Sequence, residues 1–250
     1  MTNMSSTWPK LTKPPVDVAL FQIKYDLEGK GVDIFLPIEN EILKVLPKRV
    51  ENFTADISLP GTYPVIGQSL ISSKTKRAGY TYHSIDQKQK LSLDENGITY
   101  TDENTYKGWD NFKMIVCNFL TILSQTLNSI NVTRTSIRFI NHFDFDLSED
   151  PTDFFRTTIA TTEDDVIPYA SSKYGFKLLL NIDDNIYSIV NHNLDKRFDK
   201  YIYIFDIDVL DKGLFNYDID LILSKIEALR TIKNTIFFGN LTDKTIERCK

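Results

Sequence analysis

Residues 133–147 read T-R-T-S-I-R-F-I-N-H-F-D-F-D-L, an alternation that only an extended strand can use. Side chains along a strand point to opposite faces with period two. Thr133, Thr135, Ile137, Phe139, Asn141, Phe143, Phe145 and Leu147 therefore share one side, apolar enough to face a core. The other side carries Arg134, Ser136, Arg138, Ile140, His142, Asp144 and Asp146, the densest set of ionisable groups on any one element of the chain. Arg134, Arg138, His142, Asp144 and Asp146 are accordingly the candidate binding residues.

The remaining elements are read around that strand. The polar stretch up to Lys13 and the Pro14-Pro15 pair make residues 1–15 a mobile lead-in. Val16 to Tyr25 alternates as a first strand and ends at Gly29 and Gly31. Apolar residues from Ile38 to Phe53 recur at helical spacing, with Pro47 kinking or dividing the segment. Residues 56–78 are rich in Pro and Gly and end on S-S-K-T-K-R, which predicts an exposed connection with a basic tip. Three short strands follow, 79–86, 89–93 and 98–101, the last two joined at Asn96-Gly97, the strongest short-range hairpin signal. Trp109 to Leu127 then changes period: Trp109, Phe112, Val116, Phe119, Leu120, Leu123 and Leu127 fall on one helical stripe.

The same order recurs beyond the central strand. Asp150 and Pro151 supply an N-cap and a first helical position for a short helix to about residue 158. An acidic loop through 163–165 follows, and then strands over 174–182, 186–193 and 201–209, the first two flanking Asp183-Asp184-Asn185. Ile219, Ile222, Leu223, Ile226, Leu229 and Ile232 mark a helix, with a further turn or two over 241–249. The expectation is an α+β protein of two similar β-α-β-β-β-α units, residues 16–130 and 131–250, packed as one body.

Composition narrows the class. A formal net charge of -5 argues against a general nucleic-acid binder, which needs clustered Lys and Arg. Two cysteines are too few for a disulfide framework and fit a reducing cytoplasm, and no apolar run is long enough to span a membrane. No G-x-S-x-G, G-x-x-x-x-G-K-[ST] or G-x-G-x-x-G is present, so no cofactor is specified and a binding or regulatory role is favoured over an enzyme.

Pro14 to Ile23 (P-P-V-D-V-A-L-F-Q-I), Ile137 to Asn141 (I-R-F-I-N) and Ile236 to Lys244 (I-F-F-G-N-L-T-D-K) resemble, in order and spacing, a sporadically distributed family of uncharacterised prokaryotic proteins of similar length. The resemblance covers essentially the whole chain. It implies a bacterial source, a single intact unit and an association with mobile or defence-related systems, but no activity.

The function expected is thus a soluble bacterial binding or regulatory subunit that recognises a partner protein or a small ligand at the junction of the two units, bordered by the central strand. The enzymatic alternative is metal-dependent phosphoester hydrolysis, with His142, Asp144 and Asp146 spaced roughly 7 Å apart along one strand face. Asp206 and Asp208, with Asp211 nearby, form a second acidic group, read as solvating an edge or strand end, with cation binding as the alternative. His83 and His192 are read as structural or exposed. Within I-R-F-I-N, Asn141 is expected on the apolar side satisfying backbone groups and Arg138 on the other, reaching carboxylates across the sheet.

Overall fold

The computed structural model describes residues 8–58, 72–150, 153–157 and 173–250. Strands β1 (Val16–Asp26), β2 (Lys48–Ser58), β3 (Ser72–His83), β4 (Gln89–Asp94), β5 (Gly97–Glu103), β6 (Asn131–Asp146), β7 (Lys173–Asn181), β8 (Ile186–Lys196), β9 (Lys200–Asp211) and the short β10 (Phe215–Asn216) form one sheet. Its order is β2-β3-β4-β5-β1-β6-β9-β8-β7, with β10 pairing onto the start of β6, and every pairing is antiparallel. The helices are α1 (Glu39–Val45), α2 (Trp109–Leu127), α3 (Ile219–Asn240) and α4 (Asp243–Arg248), α1 being preceded by a 3-10 turn over Val32–Ile38. The protein is therefore α+β.

The central strand lies at the middle of this sheet, between β1 and β9. One face of the sheet is the core: Phe21 and Ile23 of β1, Ile137, Phe139, Phe143 and Phe145 of β6, and Tyr203, Phe205 and Ile207 of β9 are buried together with the apolar stripes of α2 and α3. The two long helices contact each other, and α3 crosses β6 and β9. Tyr201–Phe205, which lacks polar alternation, lies in this sheet interior, with Ile202, Tyr203 and Phe205 all buried.

A bulge corrects the parity expected for the start of β6. Lys24 faces Arg134 but Tyr25 faces Val132, so Thr133 is left over; it is exposed, and Val132 takes the core position. Leu147 lies past the strand and is exposed. A second irregularity on β1, between Val16 and Val18, brings Val16 opposite Asn141.

Four other expectations change. The segment after Pro47 is not helical: α1 stops at Val45 and Lys48–Ser58 is β2, because Pro47 lacks the amide that a continuing helix needs. The basic tip S-S-K-T-K-R is not a loop but the start of β3, paired with β2, where Arg77 bonds Glu51; residues 59–71 of that expected connection lie outside the described residues. The helix expected to run to about residue 158 does not continue past Asp153, a 3-10 position whose N–H donates to Asp150 O at 3.0 Å; beyond it Phe155 bridges Leu241 and stacks on Tyr203 at 3.9 Å. Pro151 and the acidic loop at 163–165 lie outside the described residues. The lead-in is docked from Trp8 onward: Trp8 stacks on Phe238 at 5.2 Å, Leu11 packs on the core, and Lys13 N donates to Cys249 O at 3.0 Å.

Among the described residues no helix is long and apolar enough to cross a membrane.

Candidate functional site

The charged face of β6 is a network of closed pairs. Arg138 grips Asp206 through Nε and Nη2 at 2.8 and 2.7 Å, and Asn191 Nδ2 donates to the same carboxylate at 3.0 Å. Asp206 is almost fully buried, so this bidentate pair holds β6, β9 and β8 in register. Asp208, opposite Arg138, is raised above the usual carboxylate range by burial, against the pull of Arg138 and Arg134. Arg134 donates to Gln22 of β1. Asp211, at the end of β9, receives Lys225 of α3 at 2.5 Å. The acidic residues of β9 therefore do not solvate a strand end; Asp206 and Asp211 are buried and paired.

Toward the other end of β6 the groups are exposed. His142 Nε2 lies 3.1 Å from Asp144 Oδ1, and Lys200 Nζ is 2.8 Å from Asp144 Oδ2. The Lys200 hydrogen bond is the largest influence holding Asp144 below its ordinary range. Asp146 donates its backbone N–H to Glu149 at 2.9 Å. Among the described residues no three His, Cys, Asp or Glu side chains are grouped so as to hold a metal ion.

The polar member of I-R-F-I-N on the core face, beside Ile137 and Phe139, lies there as expected. Asn141 is buried and its Nδ2 donates to Phe205 O at 2.9 Å and Phe139 O at 3.4 Å. It also lines a cavity of about 890 Å³ on the helix side of the sheet, opposite the charged face. This volume suits a small-molecule site. Its walls come from the N-terminal segment (Trp8 to Val16), from Tyr106 to Asn111 at the start of α2, from Asn141 of β6, and from α3 between Arg230 and Phe238.

Each wall has a local cause. A register irregularity sets Val16 against Asn141, and His142 N donates to Pro15 O at 2.8 Å, fixing the segment at the cavity edge. Gly108 precedes α2 with φ 103 and ψ 166, a backbone state open to glycine. No side chain caps α2 there. The first N–H groups of a helix lack acceptors within it, and the aligned peptide dipoles make that end attractive to anions.

On α3, Glu227, Arg230, Asn234 and Phe237 follow one another at helical spacing, with Lys233 beside them. Glu227 is already committed: Trp109 Nε1 at 2.9 Å, Lys113 Nζ at 2.7 Å and Arg230 Nη1 at 3.4 Å all donate to it. Burial pushes Glu227 upward, but the Lys113 and Trp109 hydrogen bonds hold it below its usual range. Arg230 also lies over the Trp109 ring, 5.0 Å from its centroid.

Lys233 is left without a carboxylate. Among the described residues its Nζ has no hydrogen-bond or ion-pair partner; it lies 4.5 Å from the Phe139 ring centroid and 5.6 Å from that of Phe237. Burial, aided by the nearby Arg230 charge, lowers it to about 7. Tyr106 meets the same Phe139 ring edge-on at 5.6 Å, and burial keeps its hydroxyl protonated. Lys10, Lys107, Arg230 and Lys233 line the cavity against a single carboxylate, Asp110. In a chain of net charge -5 this is a local reversal of sign.

Sequence reading did not find Lys233, although a signal exists. Apolar residues of α3 recur at 219, 222, 226 and 229, and continuing the alternate three-and-four spacing gives 233, 236 and 240. Two of these, Lys233 and Asn240, are polar residues on a core stripe. Asn240 is satisfied through Thr157 N at 3.3 Å and His192 Nε2 at 3.5 Å, whereas Lys233 is not. His192 itself is buried, stacked on Phe176 and Phe205 and bonded through Nδ1 to Tyr203 Oη at 2.6 Å.

Compared with models of known protein families, with curated proteins and with solved structures, the chain matches none.

Proposed function

We propose that the protein is a binding or regulatory subunit whose ligand is a small anion with an apolar or aromatic body, held in the cavity between β6, α2 and α3. The observation that carries this reading is Lys233, an amine without a carboxylate in a wall of aromatic rings. Lys233 is half-buried; drawing a cation partly out of water without a counter-ion is costly, and a bound anion relieves that cost. The uncapped start of α2 and the cations Arg230 and Lys107 act in the same sense. The rings of Trp8, Tyr106 and Phe238 offer apolar area for the ligand body.

The element order departs from two β-α-β-β-β-α units, with four strands between α1 and α2 in the first half and, among the described residues, no α-helix between β6 and β7 in the second; what favours a two-unit reading is strand adjacency alone. The last long strand of each half lies beside its first, β5 beside β1 and β9 beside β6, and the halves meet where β1 pairs with β6. The cavity draws α2 from residues 16–130 and Asn141 and α3 from residues 131–250. It lies on the helix face of the central strand, and none of Arg134, Arg138, His142, Asp144 and Asp146, the binding residues expected on the charged face, lines it. A cavity of this size favours a small ligand over a protein segment.

Both tryptophans of the chain, Trp8 and Trp109, line the cavity, so intrinsic fluorescence reads its occupancy. Titration with 4-methylpentanoate and with its neutral amide is the test. The carboxylate is expected to perturb the emission and bind at least tenfold more tightly than the amide, a preference that Lys233→Met reduces. Equal binding of acid and amide, or binding of neither, would remove this reading.

A further inference from the structure

We infer that the Lys233 amine captures its ligand covalently, as an imine, and that the cavity accordingly takes a 2-oxo acid with a branched or aromatic apolar body. This deepens the anion-binding reading and rests on it.

Three features of the cavity combine in that chemistry. First, the amine is available: its Nζ has no partner among the described residues and faces the rings of Phe139 and Phe237. An ordinary lysine exposes only about one neutral amine in a few thousand at pH 7, whereas partial burial beside Arg230 lowers Lys233 toward 7 and raises the neutral share there. Desolvation in an apolar wall is a recognised way of making a lysine nucleophilic. Second, a carboxylate next to the reacting carbonyl has anchors other than Lys233, in Arg230, Lys107 and the uncapped first turn of α2. Third, Tyr106 lies against the same Phe139 ring with its hydroxyl kept protonated, a neutral O–H donor on that wall.

The step balances without any redox partner. The Nζ lone pair attacks the ketone carbon, the C=O π pair moves onto oxygen, and a proton passes from nitrogen to that oxygen to give a carbinolamine. The nitrogen lone pair then forms C=N as the C–O bond breaks, and the oxygen leaves as water with the remaining N–H proton. The product is imine plus water. A carboxylate held beside it stabilises the protonated imine, as does the face of Phe139, which attracts a cation.

The test uses the full chain with 4-methyl-2-oxopentanoate and sodium cyanoborohydride, which delivers hydride to a protonated imine and fixes it as a secondary amine. Intact mass and peptide mapping are expected to show one adduct per chain, on Lys233, forming at pH 7 at least tenfold faster than on any other lysine. A parallel arm measures 2-hydroxy-4-methylpentanoate, which has the carboxylate but no carbonyl, by tryptophan fluorescence. Binding of both acids without an adduct on Lys233 would overturn imine capture and leave anion binding standing. Binding of neither acid would overturn both. An adduct spread evenly over the lysines would also overturn capture at this site. The mapping is done on the unaltered protein, so it does not depend on whether a Lys233 variant folds.

Discussion

Lys233 Nζ of α3 lies 4.5 Å from the centre of the Phe139 ring of β6, and among the described residues it has no anion to offset its charge. The aromatic face recovers part of the solvation the ammonium loses, of the order of 1–2 kcal/mol for a desolvated cation–π pair. The remainder shows as the lowered basicity of the amine.

That lowered basicity has a signed consequence for stability. The folded amine titrates near 7 and the unfolded one near its ordinary 10.5, so between these values the unfolded chain holds more protons and stability from this group rises with pH. Below 7 both states are protonated and the penalty is complete. Arg230 on its own helix acts on the amine directly, and the other charged groups lining the same cavity are Lys107 and Asp110 at the start of α2 and Lys10 of the N-terminal segment. Lys233→Met is therefore expected to stabilise the protein by a few kcal/mol at pH 6–7, with the gain shrinking toward pH 10. Urea unfolding of both proteins across that range measures it, and a gain independent of pH would show that the amine is not desolvated.

The Arg138–Asp206 pair makes a contrasting case, because its charges are matched. Reversing Arg138 to Glu places a carboxylate against buried Asp206 beside Asp208, so the variant is expected to lose about 2–4 kcal/mol. Arg134→Glu, which removes a bond to the neutral Gln22, is expected to cost less. Chemical denaturation of both variants decides the order. Similar losses would mean that Asp206 is not the dominant partner.

How far the sequence disclosed this structure depended on whether a signal was local. The α2 stripe and the Asn96-Gly97 turn were legible because periodicity and turn chemistry act within a few residues. The parity of Arg138 and Asn141 followed from the same alternation. β2 was missed because it is an edge strand whose Val50 and Phe53 point outward, so its apolar residues matched a helix by chance while Arg49 and Glu51 pair with each other. At Asp150-Pro151 a capping signal was present, yet Phe154 and Phe155 gain more by entering the core between β9 and α4. The walls of the cavity were not legible, since they come from four separate parts of the chain. Only the lysine on the apolar stripe of α3 hinted at them.

His192 should dominate the acid limb of stability. Burial between Phe176 and Phe205 lowers it to about 4, and no charged side chain is among its contacts: Tyr203 Oη and Asn240 face its two nitrogens. Between pH 6.5 and 4 the unfolded state binds the extra proton, so stability falls as the pH drops through that window, by up to about 3 kcal/mol. In His192→Phe this part of the pH dependence should be missing. Parallel stability curves for the two proteins from pH 7 to 4 would assign the acid sensitivity elsewhere.

The segment from Trp8 to Pro15 is the wall of the cavity with the least holding it. It is tied at its base by the Lys13–Cys249 and His142–Pro15 backbone hydrogen bonds, and at its far end by the Trp8–Phe238 stack and the packing of Leu11. An aromatic pair of this kind is worth about 0.5–1.5 kcal/mol beyond its area, small beside the whole core. Trp8→Ala with Leu11→Ala is therefore expected to lower the melting temperature by only a few degrees. Its effect on a carboxylate ligand should be larger, because the apolar body loses a wall while Lys233 and Arg230 remain: affinity should fall by tenfold or more. Calorimetric titration with 4-methylpentanoate, which needs no tryptophan signal, separates the two effects. Unchanged affinity in the double variant would place the bound ligand away from this segment.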